Sequence, residues 1–233
     1  MNGTCNYILD SMTRLGLDYA DALSQAQKLG YAEANPATDV DGIDTWHKVI
    51  LSSNIAFGVS LDTATVPVAG IRNIKASDVE NFKSHGLVCK LVSTGKRTEH
   101  GVSAYVQPTL FPEGELESAV PANYNLITLY GSASGRMSFY GQGAGRYPTA
   151  YNVIQDCMDI MLGKGFYCPY GAKVSAENTD LVSYYVSGSQ DAWLKEITQD
   201  TWGDAIITKP VSVETFHKWL KTQETVFAAA IVG

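Results

Sequence analysis

The feature that most constrains this chain is a change of hydrophobic period at Gly58. Before it, apolar residues recur at three- and four-residue intervals; after it they fall into short alternating runs. Helices gathered at one end of a chain and strands following them specify an α+β fold rather than a doubly wound α/β one. Tyr7, Ile8, Met12 and Leu15 mark a first helix over Asn6 to Leu15, and Tyr19, Leu23, Ala26 and Leu29 a second over Asp18 to Leu29. Gly16 and Gly30 stand at their C-caps. Between Tyr31 and Asp41 the periodicity fails, and Pro36 disfavours helical geometry at Asn35, so a carboxylate-rich loop is expected. A third helix is expected from about Asp41 to Gly58, through Ile43, Trp46, Val49, Ile50 and Ile55.

Beyond Gly58 the expected strands are Thr65 to Val68, Val88 to Val92 and Val102 to Val106, with a helix over Asp78 to Ser84. Asn125 to Tyr130 and Arg136 to Tyr140 read as a hairpin closed by the five residues 131–135. A last helix of this part opens near Pro148 and carries the apolar stripe Ala150, Val153, Ile154, Cys157, Met158 and Met161. Gly163 to Gly165 ends it, which places a boundary between residues 1–164 and 165–233. The second part reads as strand, helix, strand, helix, strand over Leu181 to Val186, Gln190 to Thr198, Ala205 to Thr208, Val213 to Leu220 and Val226 to Val232. The expectation is a mixed sheet with helices packed on one face, followed by a small α/β unit. A chain of 233 residues, 45% hydrophobic and 18% charged, suits one ordinary domain with a smaller companion.

The same composition narrows the function. A formal charge of −7 argues against a binder of nucleic-acid backbones. No apolar run of about 18 residues appears, and Met1 to Cys5 lacks the charged and apolar regions of a signal peptide, so a cytoplasmic chain without a membrane segment is expected. Cys5, Cys89, Cys157 and Cys168, like the four histidines, lack metal-ligand spacing; free thiols and no metal site are expected.

Two constellations carry chemistry. In the first, Tyr31, Glu33, Asp39, Asp41, Asp44 and Lys48 crowd the loop and third helix, and Asp44 and Lys48, four residues apart, share a helical face. Such a lysine serves as proton donor and acceptor if its surroundings tune it, and the loop carboxylates suit a substrate ammonium. On spacing alone, an exposed ion pair of little energetic weight stands beside that reading. In the second, Gly141-Gln142-Gly143-Ala144-Gly145 opens a helix, either as an anion cradle or as a tight corner between hairpin and helix. It is not a dinucleotide fingerprint, because the glycine register fails at Arg146.

The run Ala26-x-x-x-Gly30-Tyr31-Ala32-Glu33-Ala34-Asn35-Pro36-x-x-Asp39-Val40-x-Gly42-x-Asp44-x-x-x-Lys48 resembles the signature of homoserine dehydrogenases. Asn2 to Leu9, Gly70-Ile71, Lys90-Leu91 and residues 141–150 recur in that family's order, so the resemblance spans about residues 2–164. It implies an NAD(P)-dependent oxidoreductase that interconverts L-homoserine and L-aspartate 4-semialdehyde on the route to threonine, isoleucine and methionine. By the same resemblance, Lys48 is the catalytic lysine and Asp44 its accompanying carboxylate. Glu33 and Asp39 bind substrate, with Tyr31 and the Asn2, Gly3, Thr4 backbone lining the pocket, while Gly143, Ala144 and Gly145 close over the nicotinamide end of NADP or NAD. The family also implies a homodimer.

Its N-terminal Rossmann domain has no counterpart here. The resemblance therefore implies a substrate half with weak or absent activity alone, with a separate Rossmann-domain chain as an expected partner. The rival expectation is a non-catalytic amino-acid-binding or regulatory remnant that pairs with a complete homologue. The C-terminal unit weakly resembles the family's ACT-type regulatory domain, one strand short of its β-α-β-β-α-β order, and a packing or dimerising appendage is the alternative.

Overall fold

The computed structural model describes residues 1–143, 145–164 and 171–232. The helical opening comprises α1 (Gly3–Leu15), α2 (Tyr19–Lys28), a short α3 (Ala37–Val40) and α4 (Ile43–Phe57). Then follow β1 (Ser60–Leu61), α5 (Ala76–Ser84), β2 (Leu87–Arg97), β3 (Val102–Pro112), β4 (Tyr124–Gly131), β5 (Gly135–Gln142) and α6 (Arg146–Met161). The remainder is β6 (Lys173–Val174), β7 (Leu181–Ser187), α7 (Ala192–Ile197), β8 (Thr198–Trp202), β9 (Ala205–Thr208), β10 (Val211–Ser212), α8 (Val213–Leu220) and β11 (Phe227–Ile231).

One mixed sheet, ordered β2-β3-β11-β7-β9-β8 with β10 on β7, organises the chain, as the change of period led one to expect. Its β3–β11 pair is parallel and the other pairings are antiparallel. Alternation along each strand sorts side chains between two cores. Val106 and Leu110 of β3, Tyr185 of β7, Ile207 of β9 and Phe227 of β11 meet Ile8, Met12, Val49 and Phe82 from α1, α4 and α5. Tyr184, Val186, Ile206, Ala228 and Ala230 point the other way, onto Leu194 of α7 and Phe216 of α8. Helices therefore cover both faces: the expected one-face packing holds for α1, α4 and α5, and the strands after β6 add a second face that α7 and α8 bury.

The expected boundary at Gly165 lies outside the described residues. Strands from both sides of it share the sheet, with β11 seated between β3 and β7. In the C-terminal unit the helix expected to reach Thr198 stops at Ile197, where the Thr198 hydroxyl binds the Leu194 carbonyl (2.7 Å) and β8 begins at once. Residues 181–231 therefore run β7-α7-β8-β9-β10-α8-β11, with β8 and the two-residue β10 added to the expected order.

Three further expectations need correction. Thr65 to Val68 is not a strand: a 3-10 turn over Thr63–Thr65, capped by Asp62, precedes a single bridge from Val68 to Val106, and the Trp46 indole takes the Val66 carbonyl (2.8 Å). The β4–β5 hairpin pairs Gly131 with Gly135, so its loop is residues 132–134, closed by Gly135 at φ 67°. The apolar stripe of α6 buries nothing against the rest of the described chain; Ile154, Met158 and Met161 are exposed.

A buried polar bridge joins the sheet to α8. Gln107 Oε1 accepts from the Tyr184 hydroxyl (3.1 Å) and lies 2.9 Å from His217 Nε2, which assigns the imidazole proton to Nε2. Burial pushes the His217 pKa down from 6.5 to about 4. The folded chain therefore takes up this proton less readily than the unfolded one, so the stability His217 protects is complete above pH 6.5 and is lost as pH falls toward 4. Urea titrations at pH 7 and pH 4 should show a His217-dependent loss of about 3 kcal/mol that a His217→Gln variant lacks.

Candidate active site

The site is built around the N-terminus of α1. Asn2 caps that helix, its Oδ1 accepting from the Cys5 N–H (2.8 Å), as the N-cap preference of asparagine allows. The other end of the same side chain is free to donate. Asn2 Nδ2 reaches Asp39 Oδ1 at 2.8 Å and Asp44 Oδ2 at 3.0 Å, so one buried amide bridges two carboxylates. Lys48, one turn beyond Asp44 on α4, donates Nζ to the same Asp44 Oδ2 (2.7 Å) and to the Met1 carbonyl (3.2 Å). Its side chain remains 43% exposed, which leaves the ammonium open to a ligand.

Backbone chemistry brings these groups together. Gly42 takes φ 81° at the N-cap of α4, turning the chain out of α3 so that Asp39 and Asp44 converge. Gly70 presses on that corner: a Cβ there would lie 2.1 Å from the Val40 carbonyl oxygen and 2.5 Å from Asp41 Cα, while the Ile71 N–H donates to that same carbonyl (2.7 Å). Thr4 hydrogen-bonds the Tyr31 carbonyl, and the Tyr31 ring tilts against Tyr7 at 5.1 Å between centroids. Behind them, Cys5 donates Sγ to the Asp39 carbonyl (3.2 Å); burial first, and the Asp39 charge second, hold its thiol well above the usual pKa. It is a buried packing thiol rather than a nucleophile. Cys89 and Cys157 are also free thiols, and Cys168 lies outside the described residues.

The structure gathers Asn2, Asp39, Asp44 and Lys48 into one network, with Gly3, Thr4 and Tyr31 beside it. It does not gather the whole acidic cluster. Asp41 turns away and pairs with Arg72 through two bonds of 2.8 Å. Glu33 is exposed, and only its backbone carbonyl is engaged, by Gln27 Nε2 at 3.0 Å. Gly143 follows β5, where a Cβ would fall 1.6 Å from Asn125 Nδ2, and Gly145 opens α6 at φ 127°. Asn125 thus occupies the place of a Gly143 side chain, and the positive φ of Gly145 is one that glycine adopts without strain. Ala144 lies outside the described residues. A cavity of about 680 Å³ lies between the β2–β3 face and the hairpin and meets this network only at Met1 and Asn2. Among the described residues no cluster of three or more metal-ligating side chains occurs. No described helix is long and apolar enough to cross a membrane.

The family model for homoserine dehydrogenase matches residues 1–158. The chain belongs to the homoserine dehydrogenase family. It is 39% identical over 184 residues to the homoserine dehydrogenase of Corynebacterium glutamicum, an alignment covering 77% of this chain and 40% of that protein. It is 38% identical over 161 residues to the Bacillus subtilis protein of the same name, covering 69% and 37% respectively. A homoserine dehydrogenase structure from Thiobacillus denitrificans superposes with a TM-score of 0.79 at 27% identity, over 99% of this chain and 62% of that one. The chain thus spans about two fifths of the length of the curated relatives it matches.

Spacing marks the Asp44 and Lys48 pair and the resemblance marks Asp39, whereas Asn2 is expected only as backbone lining. Its side-chain bridge had only a faint signal, an N-capping residue three positions before a buried cysteine. Asn2→Asp keeps the cap acceptor and sets a third carboxylate against two others; it should cost about 2 kcal/mol at low salt in urea denaturation, partly recovered at high salt. Gly70→Ala drives a methyl into the α3 backbone and should lower stability by at least about 2 kcal/mol in the same assay.

Proposed function

We propose that this chain carries the substrate-binding and catalytic part of an NAD(P)-dependent homoserine dehydrogenase, acting on L-homoserine and L-aspartate 4-semialdehyde. The observation that carries the proposal is the Asn2-bridged pair of carboxylates with Lys48 at its open edge. An amino-acid substrate brings an ammonium, which Asp39 and Glu33 attract, and a hydroxyl or carbonyl at C4, which needs a proton partner. Lys48 is that partner. In the reductive direction its ammonium donates to the carbonyl oxygen; in the oxidative direction the neutral amine accepts the hydroxyl proton. Asp44, fixed by Asn2, accepts from Nζ and directs the lysine. Tyr31, Gly3 and Thr4 form the adjoining wall.

A nicotinamide dinucleotide, when bound, supplies or accepts the hydride. By the family resemblance, Gly143, Ala144 and Gly145 are the residues of this chain that would meet its nicotinamide end. In this reading residues 1–164 form the catalytic and dimerisation part, and residues 165–233 a C-terminal α/β unit, possessing a regulatory role if it is ACT-like. Exposed Leu129, Phe139 and Tyr140 on β4 and β5 support a homodimer. A cytoplasmic location accords with the biosynthetic reaction.

Calorimetry tests the reading directly. L-homoserine should bind the chain, and Asp39→Asn should weaken binding at least about tenfold, the loss expected for one charge-assisted hydrogen bond. In a polypeptide that joins this chain to a dinucleotide-binding domain, Lys48→Ala should lower kcat by about 10²- to 10⁴-fold with Tm unchanged. Undiminished turnover would overturn the assignment.

A further inference from the structure

Asn6 lies one turn into α1 from Asn2. Its Nδ2 group points at three carbonyls of the segment that leads into β4: Val120 at 3.1 Å, Ala122 at 2.8 Å and Tyr124 at 3.3 Å. Its Oδ1 accepts from Lys90 Nζ (2.8 Å), and Lys90 also donates to the Val120 carbonyl (2.7 Å). Lys90 is only 6% exposed, and among the described residues no carboxylate is bonded to it; burial pushes its pKa down to about 8. Keeping an ammonium there is costly, so the carbonyl and amide oxygens that hold it form a specific socket.

A second device acts on the same segment. Ala122 takes φ 46°, and it is the one non-glycine residue at positive φ among the described residues. That conformation costs about 1 kcal/mol or more. It is retained because both backbone groups of Ala122 are captured by α1: its N–H by Asp10 Oδ2 (2.9 Å) and its carbonyl by Asn6. Asp10 is itself held by Arg14 (2.7 Å).

The two ends of this tether reach the two halves of the site. Upstream, α1 begins with Asn2, Gly3 and Thr4, and a Cβ on Gly3 would come within 2.9 Å of the Asn123 carbonyl oxygen. Downstream, Tyr124 starts β4 and pairs with Gln142, the residue before Gly143, while Asn125 packs on Gly143 itself. We infer that Asn6, held by Lys90, is a positioning residue that fixes the Gln142 and Gly143 end of the hairpin relative to the Asn2, Asp39, Asp44 and Lys48 cluster. The inference rests on the functional reading above, since it assigns one end to the cofactor and the other to the amino acid. Neither Asn6 nor Lys90 touches Lys48; they act through the segment they hold.

Hydrogen exchange on the full chain, with and without L-homoserine, tests it. In Asn6→Asp, which keeps the side chain's size but removes the donors, amides of 122–142 should exchange about tenfold faster, while α4 and β7 to β11 stay within about twofold. Saturating L-homoserine should slow exchange across 122–142 in the unsubstituted chain and fail to do so in Asn6→Asp. Lys90→Met should reproduce the defect and Lys90→Arg should relieve it; Lys90→Met carries the test if Asn6→Asp does not fold. Uniformly faster exchange, unchanged hairpin exchange, or ligand protection that survives in Asn6→Asp would each overturn the inference. If the unsubstituted chain binds no L-homoserine, the functional reading fails, and the ligand-free comparison alone decides the tether.

Discussion

The parallel pairing of β3 with β11 is the constraint on which the rest of the chain is laid. From Val102 to Leu110 β3 is buried on both faces, a condition that requires partners along both edges and cover above and below. One edge goes to β2, its sequence neighbour, through an eleven-residue antiparallel register. The other goes to β11, the last strand. The C-terminal unit is therefore stitched into the sheet that supports α1 and α4, and those two helices carry the site. Secondary ties follow the same route: the buried Asp78 caps α5 and accepts the Tyr185 hydroxyl (2.8 Å), and Asn73 binds the Glu224 and Val226 carbonyls.

On that platform the site solves an electrostatic problem. Asp39 and Asp44 converge on one amide, and like charges at such spacing repel. Asn2 offers two N–H groups between them, Lys48 offers a cation at the edge, and Asp41 is withdrawn into a separate bidentate pair with Arg72. An exposed lysine and aspartate four apart are usually of small consequence. The pair acquires a direction here because Asn2 fixes the carboxylate and the Met1 carbonyl takes a second ammonium proton.

The parts of the fold legible in the sequence were those where local pattern and burial agree. Helices α1, α2 and α4 stood out because their apolar stripes face the core, and β2 and β3 because β-branched residues recur with glycine and polar breaks between them. Where a local group competes with the backbone, pattern misled. Trp46 and Asp62 claim the polar groups of residues 62–66, so no strand forms there, and Thr198 turns the chain from α7 into β8 without a glycine or proline to announce it. The α6 stripe has the right period and no partner within the described chain. Periodicity reports a face able to be buried and is silent on what buries it.

In the site, the sequence by itself determined that Asp44 and Lys48 share a helical face and that flexible glycine backbone precedes α6. Those are consequences of helix geometry and single-residue preferences, which act over four or five positions. Only the tertiary structure decided which of the clustered carboxylates share the Asn2 amide and what joins α1 to the hairpin. Asn2 is 37 and 42 residues from the carboxylates it bridges, and Asn6 is 84 residues from Lys90 and 114 from Val120. Hydrogen bonds over such separations leave no periodicity in the chain, because their geometry is set by the sheet and the helices packed on it rather than by neighbours in sequence.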